Sequence, residues 1–284
     1  MYEIKSLDGF SLNVLFNAFQ SAFSDYEMQL NKAELATMLE RRGFVPELSF
    51  GVFDEGELVA FTFNGIGNFN RIKTAYDTGT GTRKEYRGKG LASTIFEFSI
   101  PYLKEAGISQ YLLEVLQHNT KAISVYQKLG FEVTRELNYF VQQKENVISG
   151  KKDKPVGYEF KQVKINFNYD LPKFYDFHPS WQNSFDAVMR NTENFKMNAA
   201  FFRGEVVGYC IFEIGTGDIT QIAVDEQHRR KGIATVLLNQ MLQLNKHHSV
   251  KCINTEIQCQ SITRFLDFFS ISLKGKQFEM IRRL

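Results

Sequence analysis

The residues with the clearest chemical signal form a glycine turn at residues 86–92, with the sequence YRGKGLA. Strand-like sequence ends shortly before this turn, and an apolar segment with helical spacing begins at Leu91. Gly88 and Gly90 let the backbone approach a ligand closely, and the amide N–H groups of a first helical turn converge on the same point. Arg87 and Lys89 add two positive charges beside those amides. The turn therefore predicts an anion site that suits a diphosphate better than a single carboxylate.

A second turn of the same kind, RRKGIA, occupies residues 229–234 in the other half of the chain. Strand-like sequence precedes it and helix-like sequence follows it, as at the first turn. Arg87 and Arg229 lie 142 positions apart. Such a period is too long for a solenoid repeat and indicates an internal duplication of a whole domain.

The elements that must position the first turn follow from hydrophobic periodicity and from turn residues. Asn31 and Glu34 form the capping pair of a helix start. The predicted order is helix 10–24, helix 32–42, strands 49–53, 57–64 and 71–82, helix 91–103, strand 111–116, helix 122–129 and a closing strand at 131–141.

The second half repeats much of this order after a polar, lysine-rich segment at 142–157, which we predict to be a linker. The predicted elements are an aromatic helical stretch at 171–190, hairpin strands at 199–202 and 206–213, strand 218–224, helix 233–244, strand 252–258, a helix from 262 and a last strand from 277. We therefore expect two α/β domains, at residues 1–141 and 158–284, each with a mixed sheet.

The composition excludes several classes of protein. The chain has 284 residues and a net charge of +2, which is too weak a positive charge to indicate a nucleic-acid-binding protein. Its apolar runs are shorter than a membrane span requires. The three cysteines, Cys210, Cys252 and Cys259, lack metal-ligand spacing, and we expect them to be reduced thiols. These features predict a soluble, cytoplasmic protein without a metal site.

The motifs resemble those of the GNAT superfamily of acyl-CoA-dependent N-acyltransferases. Residues 87–92 match the family's Q/R-x-x-G-x-G/A motif, and LLEV at 112–115 matches its following strand. Further matches, in the family's order and spacing, are Asn119, Ala122, Tyr126, Gly130 and Phe131. The resemblance covers residues 1–141 well and 156–284 less well. It implies two tandem GNAT-like domains, each a mostly antiparallel mixed sheet flanked by helices, with a splayed central strand pair.

The resemblance also implies an activity: acetyl-CoA-dependent N-acetylation of an amine by direct transfer, without a covalent intermediate. Tyr126 would donate a proton to the departing sulfur, and Glu114 would act as the base, with Asp77 and His118 as weaker candidates. Asn119 would fasten the start of a helix near the cofactor arm. The residues implied to bind acetyl-CoA are Gly81, Thr82, Arg87, Gly88, Lys89, Gly90, Leu91, Ala92, Asn119 and Tyr126.

The offset of 142 positions gives an expectation for the second half. It carries Glu114 to Glu256, but it carries Asn119 to Ser261 and Tyr126 to Phe268. A phenylalanine cannot donate a proton to a sulfur. We therefore expect the first half to be catalytic and the second half to be degenerate, serving as a substrate wall or as a residual CoA site.

The sequence does not identify the acceptor, which could be an amine of a small molecule or of a peptide. The resemblance implies that the acceptor pocket is built from residues 23–46 and from the last strands. Phe23, Tyr26 and Phe44 suggest an aromatic wall, and Glu27 could attract a cationic amine, but these residues suit core packing equally well. Two alternatives to an enzyme remain at this stage: a CoA-binding regulator without turnover, and an interaction protein with vestigial turns. A monomer and a homodimer are both compatible with the sequence.

Overall fold

The computed structural model describes residues 2–25, 29–150, 153–166 and 168–284. The chain divides into two compact units. Unit 1 comprises Met1–Thr134 together with Phe278–Leu284, and unit 2 comprises Arg135–Gln277. Both are α/β units with a mixed sheet flanked by helices, as the sequence predicts.

From α1 to α4, unit 1 contains the elements of the first half in the predicted order, and it begins with a short strand, β1, that was not predicted from the sequence. Its helix α2 begins with the predicted capping box between Asn31 and Glu34, which is confirmed. The elements are β1 (Glu3–Ser6), α1 (Leu12–Ala22), α2 (Lys32–Arg42), β2 (Phe50–Asp54), β3 (Glu57–Phe69), β4 (Ile72–Thr82), α3 (Leu91–Glu105), β5 (Gln110–Leu116) and α4 (Thr120–Lys128).

Unit 2 contains β6 (Glu132–Gln143), β7 (Tyr158–Val163), α5 (Phe185–Met189), β8 (Phe195–Phe202), β9 (Glu205–Glu213), β10 (Asp218–Val224), α6 (Ile233–Leu244), β11 (Ser249–Glu256) and α7 (Gln260–Phe268). The last strand, β12 (Ser272–Arg283), runs from unit 2 into unit 1. The expectation of a helix throughout 171–190 was wrong. Only α5 is α-helical there, because Pro172 and Pro179 interrupt the stretch and its aromatic residues Phe174 and Trp181 pack in the core.

Each unit is completed by a strand from the other half of the sequence. In unit 1 the strand order is β1-β2-β3-β4-β5-β12, and in unit 2 it is β6-β11-β10-β9-β8-β7. β6 pairs antiparallel with β11, from Gln143 opposite Ser249 to Leu137 opposite Glu256. The strand at 131–141, expected to close the first half, therefore lies almost entirely in unit 2, and residues 278–284 close unit 1 instead. The units thus divide the chain differently from the expected boundaries at 141 and 158.

The two faces of the unit 1 sheet carry different helices. Phe61 and Phe63 of β3 pack with α1 and α2 in one apolar cluster. Ala75 of β4 and Leu113 of β5 pack with α3 and α4 in another. Because side chains alternate along a strand, each residue of β4 and β5 can be assigned to one of these two faces. None of the helices formed by described residues is long and apolar enough to cross a membrane.

Candidate active site

The centre of unit 1 is a fork between β4 and β5. These parallel strands pair at only three positions, the last of them Tyr76 opposite Leu112. Beyond that pair β4 continues to Thr82 and β5 to Leu116 without pairing to each other. The backbone groups along the inner edges of the fork therefore lose their partner strand there, and an extended ligand could supply one.

A bulge in β4 lies at the start of the fork. Asn64 of β3 pairs with Asp77, whereas Phe63 pairs with Gly79, so Thr78 is the extra residue. The backbone carbonyl of Thr78 accepts a hydrogen bond of 2.8 Å from Nη1 of Arg42, at the end of α2. Bulges of this kind re-aim neighbouring groups and are common beside active sites.

Tyr126 of α4 and Asp77 of β4 meet on the α3 and α4 face of the fork. The Tyr126 hydroxyl donates a hydrogen bond of 3.1 Å to Oδ2 of Asp77, and the Thr80 hydroxyl donates one of 2.9 Å to the same oxygen. Burial raises the pKa of Asp77 above its ordinary value, although these two donors act in the opposite direction. The structure thus brings Tyr126 together with the weaker base candidate, Asp77, rather than with Glu114.

Glu114 lies on the opposite face. It stands between Leu113 and Val115, which both pack with α3 and α4, so alternation directs its side chain toward the face of α1 and α2. Oε2 of Glu114 accepts a hydrogen bond of 3.1 Å from the Tyr76 hydroxyl. Burial, together with the Glu114 carboxylate, raises the pKa of Tyr76 well above its ordinary value, so Tyr76 remains a neutral donor. The fork therefore has a tyrosine hydroxyl on one face and a carboxylate on the other.

The first glycine turn has the backbone shape that an anion site needs. Gly88 and Gly90 have φ of 78° and 75°, in the left-handed region. A Cβ at either position would have no neighbour within 4 Å among the described residues, so the space above the turn is open. Gly90 is the N-cap of α3, and within the described part of the chain no side chain caps that helix. Amides of its first turn are therefore left for another acceptor.

The two cations of the turn make contacts of their own. Arg87 donates hydrogen bonds of 2.6 and 2.7 Å to the carboxylate of Asp25, and its Nε donates one of 3.2 Å to the carbonyl of Thr82. The Arg87 hydrogen bonds lower the pKa of Asp25 to about 2. Nζ of Lys89 lies 4.6 Å from the ring centre of Tyr86. In this state Arg87 holds the turn to the end of β4 and to the segment after α1.

Two other residues implied to bind the cofactor have structural roles. A Cβ on Gly81 would come within 2.5 Å of the Phe61 ring and 2.9 Å of Ala22, so close packing of α1 on the sheet already requires a glycine there. The side chain of Asn119 accepts a hydrogen bond of 3.2 Å from the amide of Ala122 and caps α4, the helix that carries Tyr126. Asn119 therefore positions Tyr126 through the start of its helix.

The remaining candidates lie away from the fork or outside the described residues. His118 is exposed in the turn between β5 and α4. Phe23 and Phe44 pack against the α1 and α2 core. Tyr26 and Glu27 lie outside the described residues.

Sequence reasoning missed three contacts of the site. Tyr76 donates to Glu114, Thr80 donates to Asp77, and Asp25 pairs with Arg87. Thr80 stands three residues after Asp77, and this spacing gave a weak local signal. Tyr76 and Asp25 reach their partners only through the tertiary fold, so no sequence spacing indicated them.

Unit 2 contains a second fork and a large cavity. β10 and β11 pair at a single position, Asp218 opposite Lys251, and then separate. The cavity has a volume of about 870 Å³ and is lined by residues of β10, β11, the second turn, α6 and α7. Arg230 and Gly232 of the second turn have φ of 64° and 87°, matching Gly88 and Gly90. Thr220 is the extra residue of a bulge in β10, as Thr78 is in β4.

The offset of 142 positions relates the two glycine turns, but it does not relate the helices that follow the two forks. Helix α4 has Asn119 as its N-cap and α7 has Cys259, which are 140 positions apart. The amide of Phe131 donates to the carbonyl of Tyr126, and that of Ile271 donates to the carbonyl of Leu266. The counterpart of Tyr126 is therefore the fully buried Leu266, and the assignment of Phe268 was wrong. The assignments of Glu256 and Ser261 used the same offset and are wrong for the same reason.

Comparison with known proteins agrees with this architecture. The model of the acetyltransferase (GNAT) family matches residues 12–131 and 165–262. Over its full length the chain is similar to a tandem GNAT protein from the clavulanic acid biosynthesis pathway, with a TM-score of 0.76, 11% identity and coverage of 100% of this chain and 98% of that one. A GCN5-related N-acetyltransferase from Sphaerobacter thermophilus gives a TM-score of 0.71 at 13% identity, with 99% and 95% coverage.

Among curated proteins, N-alpha-acetyltransferase MAK3 from Arabidopsis thaliana is 28% identical over 95 residues, which are 34% of this chain and 50% of the relative. The chain thus matches about half of that relative's length. The two solved structures support the fold, and the family model covers more than half of the chain. The chain therefore belongs to the acetyltransferase (GNAT) family.

Proposed function

We propose that unit 1 transfers the acetyl group of acetyl-CoA to an amine by direct transfer within a ternary complex. The observation that supports this best is the fork between β4 and β5, with the Tyr126 hydroxyl on one face and the Glu114 carboxylate on the other. A thioester carbonyl held in the fork would have a proton donor on the side of its sulfur and a base on the side of the amine.

The residues of unit 1 fit acetyl-CoA. The open, left-handed turn at Gly88 and Gly90 and the uncapped start of α3 would hold the diphosphate. The amides of Leu91 and Ala92 belong to that first helical turn. The inner edge of β4 beyond Tyr76, including Gly81 and Thr82, would pair with the pantetheine arm. When bound, acetyl-CoA supplies the acyl group and a thiolate leaving group.

The chain's own residues have three tasks in this reaction. Glu114, directly or through a water, takes a proton from the acceptor ammonium or amine, and Tyr76 holds its carboxylate in place. Tyr126 donates its proton to the departing sulfur. Asp77 accepts the Tyr126 hydrogen bond and so orients that hydroxyl, whereas its side chain lies on the face away from Glu114. These placements favour Glu114 over Asp77 as the base.

A covalent acyl-enzyme on a cysteine is not part of the proposal. The three cysteines, Cys210, Cys252 and Cys259, all lie in unit 2. Burial raises the pKa of the thiols of Cys210 and Cys252, which makes them poor nucleophiles. Direct attack of the amine is therefore the simpler route.

The acceptor class remains a small-molecule or peptide amine. The carboxylate of Glu114 would present negative charge to a cationic amine. The Arabidopsis relative is named as an N-alpha-acetyltransferase, which supports testing peptides with a free α-amino group beside small amines.

The test is amine-dependent release of CoA thiol from acetyl-CoA on a panel of polyamines, aliphatic amines and short peptides. We expect at least one acceptor class to accelerate release over the rate without amine. The rival function is a regulator that binds acetyl-CoA without turnover. It would be favoured if acetyl-CoA binds and no amine on the panel accelerates release.

A further inference from the structure

We propose that the ion pair between Asp25 and Arg87 positions the acceptor side of unit 1, and that Arg87 is a positioning residue and not a ligand of the diphosphate. The inference rests on the proposed function for the identity of the acceptor and acetyl-CoA sites. Three observations support it: the direction of the Arg87 donors, the repetition of the contact in unit 2, and the side of the sheet on which α1 lies.

The guanidinium of Arg87 is turned toward acceptors of the protein itself. Nη1 and Nη2 donate hydrogen bonds of 2.6 and 2.7 Å to the two carboxylate oxygens of Asp25. Nη2 also donates one of 2.8 Å to the carbonyl of Ala22, and Nε donates one of 3.2 Å to the carbonyl of Thr82. The double bond to a carboxylate fixes the orientation of the guanidinium as well as its position. A diphosphate at this turn would therefore be held by backbone amides.

Arg87 also supplies a charge that the end of α1 lacks. The last turn of α1 contains no basic residue, although a positive charge stabilises the carbonyl end of a helix. The hydrogen bond from Arg87 to the carbonyl of Ala22, the last residue of α1, places a positive charge there. Hydrogen bonds from the same guanidinium lower the pKa of Asp25 to about 2, so the ion pair persists at neutral pH.

Unit 2 repeats this contact around its own glycine turn. Nε of Arg229 donates to the carbonyl of Val224 at 2.9 Å, and Nη2 donates to Asp176 at 2.7 Å. The arginine and its aspartate are 62 positions apart in unit 1 and 53 in unit 2, so the intervening chains differ in length. Arg230 occupies the position of Gly88 in the second turn. The contact is thus present in both units although the turns themselves differ, which indicates that it supports the fold of each unit.

The segment after α1, residues 23–25, lies on the side of the sheet where the acceptor would react. α1 and α2 pack against β3 in one apolar cluster, which includes Phe23. Alternation along β5 directs Glu114, the proposed base, toward the same face. The bond from Arg87 to Asp25 therefore fixes this segment relative to the acetyl-CoA turn. Such placement matters, because a shift of about 1 Å in a positioning element can lower a rate about 100-fold.

The test separates amine binding from acetyl-CoA binding in three variants of the full chain. Asp25→Asn removes the ion pair and leaves the turn unchanged. Arg87→Lys keeps the charge but cannot bond to both carboxylate oxygens in a fixed plane. The double variant Asp25→Asn/Arg87→Gln removes both charges and so keeps the net charge. The paired side chains are 37% and 40% exposed, so their loss should cost little stability and the variants should fold.

We expect all three variants to raise the KM for the amine about tenfold through loss of positioning. The double variant should be no worse than the single variants, because all three break the same contact. The Kd of acetyl-CoA, measured by calorimetry, should stay within about twofold of the wild type in Arg87→Lys and in the double variant, since neither changes the net charge.

Glu57→Gln is the matched control. It removes another ion pair of unit 1, between the exposed Glu57 and Nη1 of Arg83, which lies outside the glycine turn and the segment after α1. Neither the KM for the amine nor the Kd of acetyl-CoA should change in this variant. Hydrogen exchange adds a measurement that needs no turnover. Peptides that contain Ala22 and Asp25 should exchange faster in Asp25→Asn and Arg87→Lys than in the wild type and the control.

The inference would be overturned if Arg87→Lys or the double variant bound acetyl-CoA about tenfold or more weakly, because Arg87 would then be a ligand of the cosubstrate. An unchanged KM for the amine in all three variants would overturn it as well. If the wild type binds acetyl-CoA but shows no turnover, the proposed function fails. Faster exchange in the two single variants would then still support the pair as the contact that holds the segment, and equal exchange would refute it.

Discussion

Tyr126 and Asp77 are 49 positions apart in the chain, and a hydrogen bond of 3.1 Å joins the tyrosine hydroxyl to Oδ2 of the aspartate. The pair lies where β4 and β5 separate, on the face opposite Glu114. In the proposed mechanism this arrangement gives the two carboxylates of the fork different tasks. Asp77 would orient the proton donor Tyr126, and Glu114 would act on the acceptor.

Replacing Glu114 by glutamine tests its role as the base. We expect kcat/KM to fall about 100-fold near neutral pH, the usual scale for loss of a general base. The loss should shrink as the pH approaches the pKa of the acceptor amine, because the amine then needs less help to lose its proton. The measurement is the pH profile of kcat/KM, with the exposed Glu105→Gln as control. A loss that stays the same at every pH would show that Glu114 has another role.

Replacing Asp77 by asparagine tests the cost of its burial. Burial raises the pKa of Asp77 above its ordinary value of 3.8, so the folded state holds this proton more tightly than the unfolded chain. Protonation of Asp77 therefore stabilises the folded state. This stabilisation is fully present below pH 3.8 and is lost as the pH rises through the raised pKa of the folded state. Asparagine can still accept from Tyr126 and Thr80 but has no charge to bury. The variant should therefore gain stability relative to the wild type as the pH rises through this window.

Urea unfolding of Asp77→Asn and wild type at a series of pH values measures that difference. Asp8→Asn, which changes an exposed aspartate of the same unit, controls for the substitution itself. If the difference in unfolding free energy between Asp77→Asn and wild type stays flat, or moves in favour of the wild type as the pH rises, burial does not dominate at Asp77.

Two glycines of β4 give a matched pair for packing. A Cβ at Gly81 would lie 2.5 Å from the buried Phe61 ring, whereas at Gly79 the nearest atoms, in Phe19 and Phe63, are 3.9 Å away. Gly81→Ala should lower the free energy of unfolding by about 1–3 kcal/mol, the usual cost of overpacking, and Gly79→Ala should change it by less than about 1 kcal/mol. Chemical denaturation of both variants checks this. Equal effects would mean that α1 moves to make room.

Most of the local structure followed from the sequence because its signals are local. The capping box of α2 needs only Asn31 and Glu34, and the glycine turn needs only residues within one segment. The pairing of the closing strands depends on the tertiary fold and not on a local signal. β6 and β12 both follow a helix and a tight turn and have similar patterns of burial, so nothing in either strand indicates which unit it completes.

The residues of the candidate site also fall into those that the sequence predicted and those that it did not. Tyr126, Glu114 and the turn were predicted from their resemblance to a known pattern, and the fold brings them to one fork. Tyr76 and Asp25 could not be predicted, because each reaches its partner across the tertiary structure. The error over Phe268 arose because one offset was applied across elements of unequal length. Helix α6 has 12 residues where α3 has 15, and β11 has 8 where β5 has 7.

The most direct test of the account is the Tyr126→Phe variant, with CoA release and acetyl-CoA binding measured on the same protein. Loss of the hydroxyl removes the proposed proton donor and leaves the ring packed beside Phe131. The account predicts that kcat falls about 100-fold or more while the affinity for acetyl-CoA stays within about twofold. Unchanged kcat would contradict the assignment of Tyr126 and, with it, the assignment of unit 1 as the catalytic unit.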